Sequence, residues 1–181
     1  MKPRQRRTSL PDPAPRQRAV SIGAGTRYIC RHKRIGQSLM HHGSCLCGSI
    51  KYSIDDNLKM IVNCHCRFCS KAHGAPFTTL LLMPYNKFEV IEGETLLASY
   101  EVKTLNSLRL FCSKCGTRLY NHSPSKGMIS LIVATLDTDA ELRPIANINV
   151  GSKCSWYQLN DELPQFSSAP SQSEFRQLLS S

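Results

Sequence analysis

Through the middle of the chain, apolar and polar residues either exchange at every second position or gather in short apolar-rich stretches. Almost nowhere do they recur at the three-to-four spacing of a helix. Ile50, Tyr52 and Ile54 alternate with Ser49, Lys51 and Ser53, the pattern of a strand with one buried face, and Asp55-Asp56-Asn57 turns the chain after it. Residues 77–83 are an apolar run of strand length, too short for a comfortable helix, which predicts a buried strand. Further short strands are predicted over 88–90, 98–102, 105–112, 118–121, 129–136 and 145–150, with a hairpin signal at Glu92-Gly93-Glu94 and a loop or short turn over 70–76. Many short strands with frequent turns argue a mainly β domain, and no internal repeat of fixed period is present.

The two ends read differently. Residues 1–40 carry Pro3, Pro11, Pro13 and Pro15 among many arginines, with little apolar periodicity, and are expected to be a disordered basic extension. An arginine-rich, acid-poor start also suits a mitochondrial targeting peptide, but the prolines spoil the amphipathic helix that targeting needs. Met40, just before the first cysteine cluster, offers an internal translation start. The domain is expected over 41–167. Beyond it, the tail at 168–181 has a capping box at Ser171-Gln172-Ser173-Glu174, followed by Phe175, Leu178 and Leu179 at helical spacing, so a short helix is expected there.

Charge changes the picture less than its total suggests. The formal net charge is +10, but residues 1–40 hold ten Lys/Arg against Asp12, giving +9 and leaving +1 for residues 41–181. Nucleic-acid binding would therefore belong to the N-terminal extension and not to the domain. No run of about 18 apolar residues is present, and the N-terminus lacks the apolar stretch of a secretory signal, so a soluble, cytoplasmic protein is expected.

Nine cysteines bring in the chemistry. Seven form tight clusters: Cys45-Leu46-Cys47, Cys64-His65-Cys66-Arg67-Phe68-Cys69 and Cys112-Ser113-Lys114-Cys115. Such spacing suits a shared soft metal far better than a framework of cross-chain disulfides, while Cys30 and Cys154 stand alone. The seven divide as four and three, and one local feature suggests which. Gly48 and Gly116 directly follow Cys47 and Cys115, and glycine's freedom at positive φ lets a tight turn aim backbone N–H groups at sulfur. Four thiolates on one divalent ion leave a charge of about −2, which such donors offset. Cys45, Cys47, Cys112 and Cys115 are thus expected to hold a structural zinc. Cys64, Cys66 and Cys69 would hold a second zinc with three protein ligands and an open position, the arrangement of a catalytic site. The competing reading is a second closed site in which His65, His73 or Cys154 is the fourth ligand. No Ser/His/Asp triad, phosphate-cradling glycine loop or carboxylate pair competes.

These residues carry a resemblance. The motifs GSCLCGSIKY, CHCRFCSKAHGAPF, FCSKCGTRLY and SKCSWYQLNDELPQF, in that order over about residues 43–166, resemble the glutathione-dependent formaldehyde-activating enzyme family, which also includes centromere protein V. The resemblance implies a β-tent-type zinc domain of several short antiparallel sheets. It implies a structural zinc on Cys45, Cys47, Cys112 and Cys115, and a catalytic one on Cys64, Cys66 and Cys69. It further implies carbon–sulfur lyase chemistry, in the named enzyme the joining of formaldehyde to glutathione as S-hydroxymethylglutathione. His73 and Cys154 depart from what the family leads one to expect near the pocket.

A soft three-thiolate zinc favours a thiol as its fourth partner, so a small thiol, with glutathione the leading candidate, is the expected substrate. Glutathione carries two carboxylates. Arg67 and Lys71 are the nearest cations in sequence, and with His73 they are the expected substrate-binding residues, while Phe77, Tyr85 and Trp156 are candidates for pocket walls. The alternative function is a non-catalytic zinc module whose basic tail binds nucleic acid or another acidic partner.

Overall fold

The structure, a computed structural model, describes residues 40–137 and 142–180. The expectations for residues 1–39, including the disordered basic extension and its targeting and nucleic-acid readings, lie outside the described residues. In chain order the elements are β1 (Met40–Ser44), β2 (Lys51–Asp55), β3 (Ile61–Cys64), α1 (Arg67–His73), β4 (Thr78–Pro84), β5 (Phe88–Glu92), β6 (Leu97–Val102), β7 (Ser107–Cys112), β8 (Arg118–Ser123), β9 (Met128–Ile132), β10 (Ala146–Ile148), β11 (Gln165–Phe166) and α2 (Gln172–Ser180). The mainly β class expected from the apolar pattern holds. The strands form two sheets, one of three in the order β1-β2-β5 and one of eight in the order β11-β10-β3-β4-β9-β8-β7-β6. Pairing is antiparallel throughout except where β10 runs parallel to β3 and β11.

The large sheet has apolar groups on both faces, and the two faces do different jobs. One packs on the small sheet: Tyr52 and Ile54 of β2 meet Ile61, Leu81, Met83, Leu110, Tyr120, Ile129 and Leu131 in one continuous core. The Tyr52 hydroxyl lies 2.7 Å from Thr135 Oγ1, a buried polar contact that fixes the end of β9's exit turn against β2. The other face carries Val62, Leu80, Ile132, Ala146 and Ile148, and packs against Cys64, Cys69 and the half-buried Phe175 and Leu178 of α2. In α2, Ser171 and Glu174 form the reciprocal capping contacts, the Ser171 amide donating to Glu174 Oε2 at 2.7 Å and the Glu174 amide to Ser171 Oγ at 3.4 Å. Register extends the second face across the sheet. Cys64 lies beside Thr78, Leu80 beside Ile132, and Ser130 beside Asn121, which in turn lies beside Arg109.

Three local expectations differ from the structure. Residues 70–76, read as a loop or turn, contain most of α1, because a two-turn helix is too short to display a period. It is held instead by the Cys66 cap at its start and by Gly74 in the left-handed conformation at its end (φ 61°). The hairpin signal at Gly93 marks a real turn at φ 77°, but β5 pairs with β2 and β6 with β7, so the turn passes the chain from one sheet to the other. The apolar run at 129–136 stops being strand at Ile132, and residues 133–135 form a short 3₁₀ turn.

Candidate metal centres

Two turns of the same construction bring the first four sulfurs together. After β1, the Cys45 amide donates to Ile50 O at 3.1 Å and the Gly48 amide to Cys45 O at 2.8 Å, with Gly48 at φ 69°. After β7, the Cys112 amide donates to Thr117 O at 2.9 Å and the Gly116 amide to Cys112 O at 2.8 Å, with Gly116 at φ 75°. The four Sγ atoms of Cys45, Cys47, Cys112 and Cys115 all lie within 4.8 Å of one another. A tetrahedral ion with sulfur bonds near 2.3 Å separates its ligands by about 3.8 Å, so the spacing fits zinc. The Ile50 amide donates to Cys45 Sγ at 3.3 Å. Thr117 ties the two turns, its Oγ1 accepting from the Leu46 amide at 3.0 Å and lying 3.2 Å from Cys115 Sγ. The Thr117 hydroxyl and amide beside it draw the Cys115 thiol down to about 5, into the range where it is a ligand-ready thiolate at neutral pH.

The remaining three cysteines wrap the junction of β3 and α1. Cys64 ends the strand, Cys66 caps the helix by accepting from the Cys69 amide at 3.4 Å, and Cys69 sits in the first turn. Their sulfurs also lie within 4.8 Å of one another, with Cys64 and Cys69 buried and Cys66 half-buried. Hydrogen bonds from the Cys64 and Cys69 side chains hold the Cys66 thiol well below its ordinary range, and the same contacts push Cys64 and Cys69 up. Without a cation, three sulfurs this close resist ionising together. A divalent ion would relieve that crowding, and soft sulfur donors suit zinc. Behind the ligands, Asn149, itself left-handed at φ 57°, donates from Nδ2 to Cys64 Sγ at 3.4 Å.

Among the described residues, no fourth His, Cys, Asp or Glu donor joins this group within 4.8 Å of all three sulfurs. His65 is fully buried and turned to the protein. Its Nε2 lies 2.9 Å from Asn147 Oδ1, whose amide donates to Asp161 Oδ1 at 2.6 Å, and its ring packs on Phe77 and Tyr157 with centroids 5.1 and 6.0 Å away. Cys154 instead accepts a hydrogen bond from Arg67 Nη1 at 3.3 Å. His73 lies one turn beyond Cys69, half-buried. Burial first, then the Arg118 and Arg109 charges, lower it to about 4, so it is neutral at pH 7.

Arg67 and Lys71 are exposed on α1. Of the expected pocket walls, Phe77 packs on His65 near the trio and Trp156 is 71% exposed. Tyr85 does not wall this site. It stacks on His122 and Phe88 with centroids 4.3 and 6.4 Å away, in the group that packs against the core between the two sheets. His73 does line a cavity of about 620 Å³, together with Ala72, Arg118, Ile132, Thr135 and both turns of the four-cysteine group. Asn149, Asn147, Asp161 and Arg118 were not legible as site residues, since each is an isolated polar residue with no spacing to mark it. No helix among the described residues is long and apolar enough to cross a membrane.

The family model described as glutathione-dependent formaldehyde-activating enzyme matches residues 40–152, more than half of the chain. A solved structure of a Rhodobacter sphaeroides protein is similar at 20% sequence identity with a TM-score of 0.48, covering 55% of this chain and 91% of that one.

Proposed function

Because the chain belongs to the glutathione-dependent formaldehyde-activating enzyme family, we propose that it is a zinc-dependent carbon–sulfur lyase acting on a thiol adduct such as S-hydroxymethylglutathione. On this reading Cys45, Cys47, Cys112 and Cys115 hold a structural zinc, and Cys64, Cys66 and Cys69 hold the catalytic one. The observation that carries it is the trio's incomplete ligand set: three clustered sulfurs, with no fourth protein donor among the described residues.

Zinc on three thiolates would supply a Lewis acid that binds a substrate thiol and keeps it as thiolate at neutral pH, where a free thiol with pKa about 8.5 is mostly protonated. The reaction forms one S–C bond from the thiol sulfur to the carbonyl carbon of formaldehyde, while the carbonyl oxygen takes up the proton that the thiol lost. The reverse step breaks that bond. The chain's own groups keep the site in shape. Asn149 Nδ2 and the Cys69 amide donate to Cys64 and Cys66 sulfur, which fixes the ligands and draws charge from them. The pair of Arg67 and Cys154 occupies the only candidate thiol outside the clusters among the described residues, keeping Cys154 apart from the trio. Lys71 and His73, on the last turn of α1, lie near enough in sequence to the trio to flank a substrate bound there.

The test is to load the full chain with two equivalents of zinc and follow S-hydroxymethylglutathione by exchange NMR in mixtures of formaldehyde and glutathione. Exchange faster than the protein-free rate is expected. An unchanged rate with both sites filled would instead favour a non-catalytic zinc module.

A further inference from the structure

Two guanidinium groups sit on the trio's face of the large sheet with no acid among the described residues in ion-pair reach. Arg109 lies beside Asn121 across β7 and β8, and it is 6% exposed. Arg118 is three residues before Asn121, which in a regular strand would place the two on opposite faces. The register shift between Leu110 and Phe111 inserts one extra residue in β8 and brings Arg118 to the Arg109 side. Both then converge on one neutral acceptor: Arg109 Nη1 donates to Asn121 Oδ1 at 3.2 Å and Arg118 Nη2 to the same oxygen at 2.8 Å.

No carboxylate among the described residues lies within ion-pair distance of either guanidinium, the described ion pair being Lys51 with Glu92. Buried charges are ordinarily paired, because removing them from water uncompensated is costly. Arg118 Nε is buried without a partner, and so are His73 Nε2 and Thr78 Oγ1. Thr78 is the neighbour of Cys64 across β3 and β4. Arg118 and His73 line the same cavity of about 620 Å³, and so does Ala72, three residues beyond Cys69 on α1. Burial and the Arg109 charge hold Arg118 down to about 10, so it remains a cation at pH 7. Among the described residues the acid lining the cavity is Asp137, which accepts from Ser44 Oγ at 3.1 Å and forms no ion pair with either arginine.

We propose that this cavity is a carboxylate subsite, in which Arg118, braced by Arg109 through Asn121, grips a carboxylate of the thiol substrate held at the trio. This rests on the reading of the trio as the thiol site. It moves recognition of the substrate's acid end from the exposed cations of α1 to the sheet beneath the helix. The planar guanidinium fork suits a carboxylate, and a half-buried fork binds it more strongly than a solvated lysine. Arg109 is a positioning residue; Arg118 makes the contact.

The probe is S-methylglutathione, whose sulfur cannot ionise, titrated calorimetrically into the zinc-loaded full chain beside its dimethyl ester. The wild type is expected to bind the acid at least about tenfold more tightly than the ester, the range of a charge-assisted hydrogen bond. Arg118→Gln should erase that gap with an unchanged melting temperature, and Arg118→Lys should keep part of it. Equal binding of acid and ester by the wild type, no binding of the acid, or a gap that survives in the Arg118 variants would overturn the proposal. The wild-type comparison stands even if a variant fails to fold. Because no readout involves turnover, a chain that discriminates through Arg118 but does not accelerate adduct formation would sink the lyase reading and leave the anion subsite intact.

Discussion

Cys112→Ser is expected to unfold the domain or leave it several kcal/mol less stable. Cys112 is fully buried at the end of β7, and its turn is joined to the β1–β2 turn across 65 residues of sequence through the Cys47 and Cys112 sulfurs, 3.9 Å apart. A metal bridging points so far apart in the chain closes a long loop, and in zinc-dependent domains binding contributes about 10–16 kcal/mol to folding, as much as the whole stability of an ordinary domain. Three thiolates and a serine hydroxyl hold zinc far less firmly than four thiolates. The calorimetric melting transition should fall by about 10 °C or more, or be lost, and bound zinc should drop from two per chain to one or none. A variant with a wild-type melt and two zincs would show that these four sulfurs do not hold the fold together.

Cys66→Ser should do the reverse, sparing the fold and removing the activity. Cys66 is half-buried, and its partners Cys64 and Cys69 lie within a few residues on the same strand–helix junction, so losing this ion opens no long loop. The serine hydroxyl can still cap α1 by accepting from the Cys69 amide, as serine does at many helix starts. A melting temperature within a few degrees of wild type is expected, with bound zinc falling to about one. Turnover of S-hydroxymethylglutathione should fall at least about a thousandfold, the effect of withdrawing several kcal/mol of Lewis-acid stabilisation. Full activity in this variant would dissociate the trio from the chemistry.

The cysteine groups were legible because cysteine is rare and its spacing is local. Gly48 and Gly116 added a backbone reason to pair the first and last turns, and both do adopt positive φ directly after their cysteines. The alternating strand at Ile50–Ile54 and the apolar run of β4 were likewise readable, since burial of one face or of both writes a direct pattern. Strand β3 was not. All four of its residues, Asn63 among them, are buried, so a central strand four residues long leaves no alternation to see. The arginine pair was hidden for another reason. Arg109 and Arg118 look like surface charges in β7 and β8, and only the one-residue shift beside Leu110 turns Arg118 inward. Asn149, facing Cys64 from 85 residues away, depends on the crossing that brings β10 beside β3. Contacts made by sheet order and register have no footprint in a single sequence.

The central claim is that the trio's ion lacks a fourth protein ligand, and zinc X-ray absorption tests it most directly. With both sites filled, seven cysteine sulfurs serve two ions, so the mean sulfur count per zinc should be about three and a half, with a light-atom neighbour making up the rest. Saturating glutathione should raise it to about four. A count of four before any thiol is added, or a nitrogen neighbour that glutathione does not displace, would contradict the account.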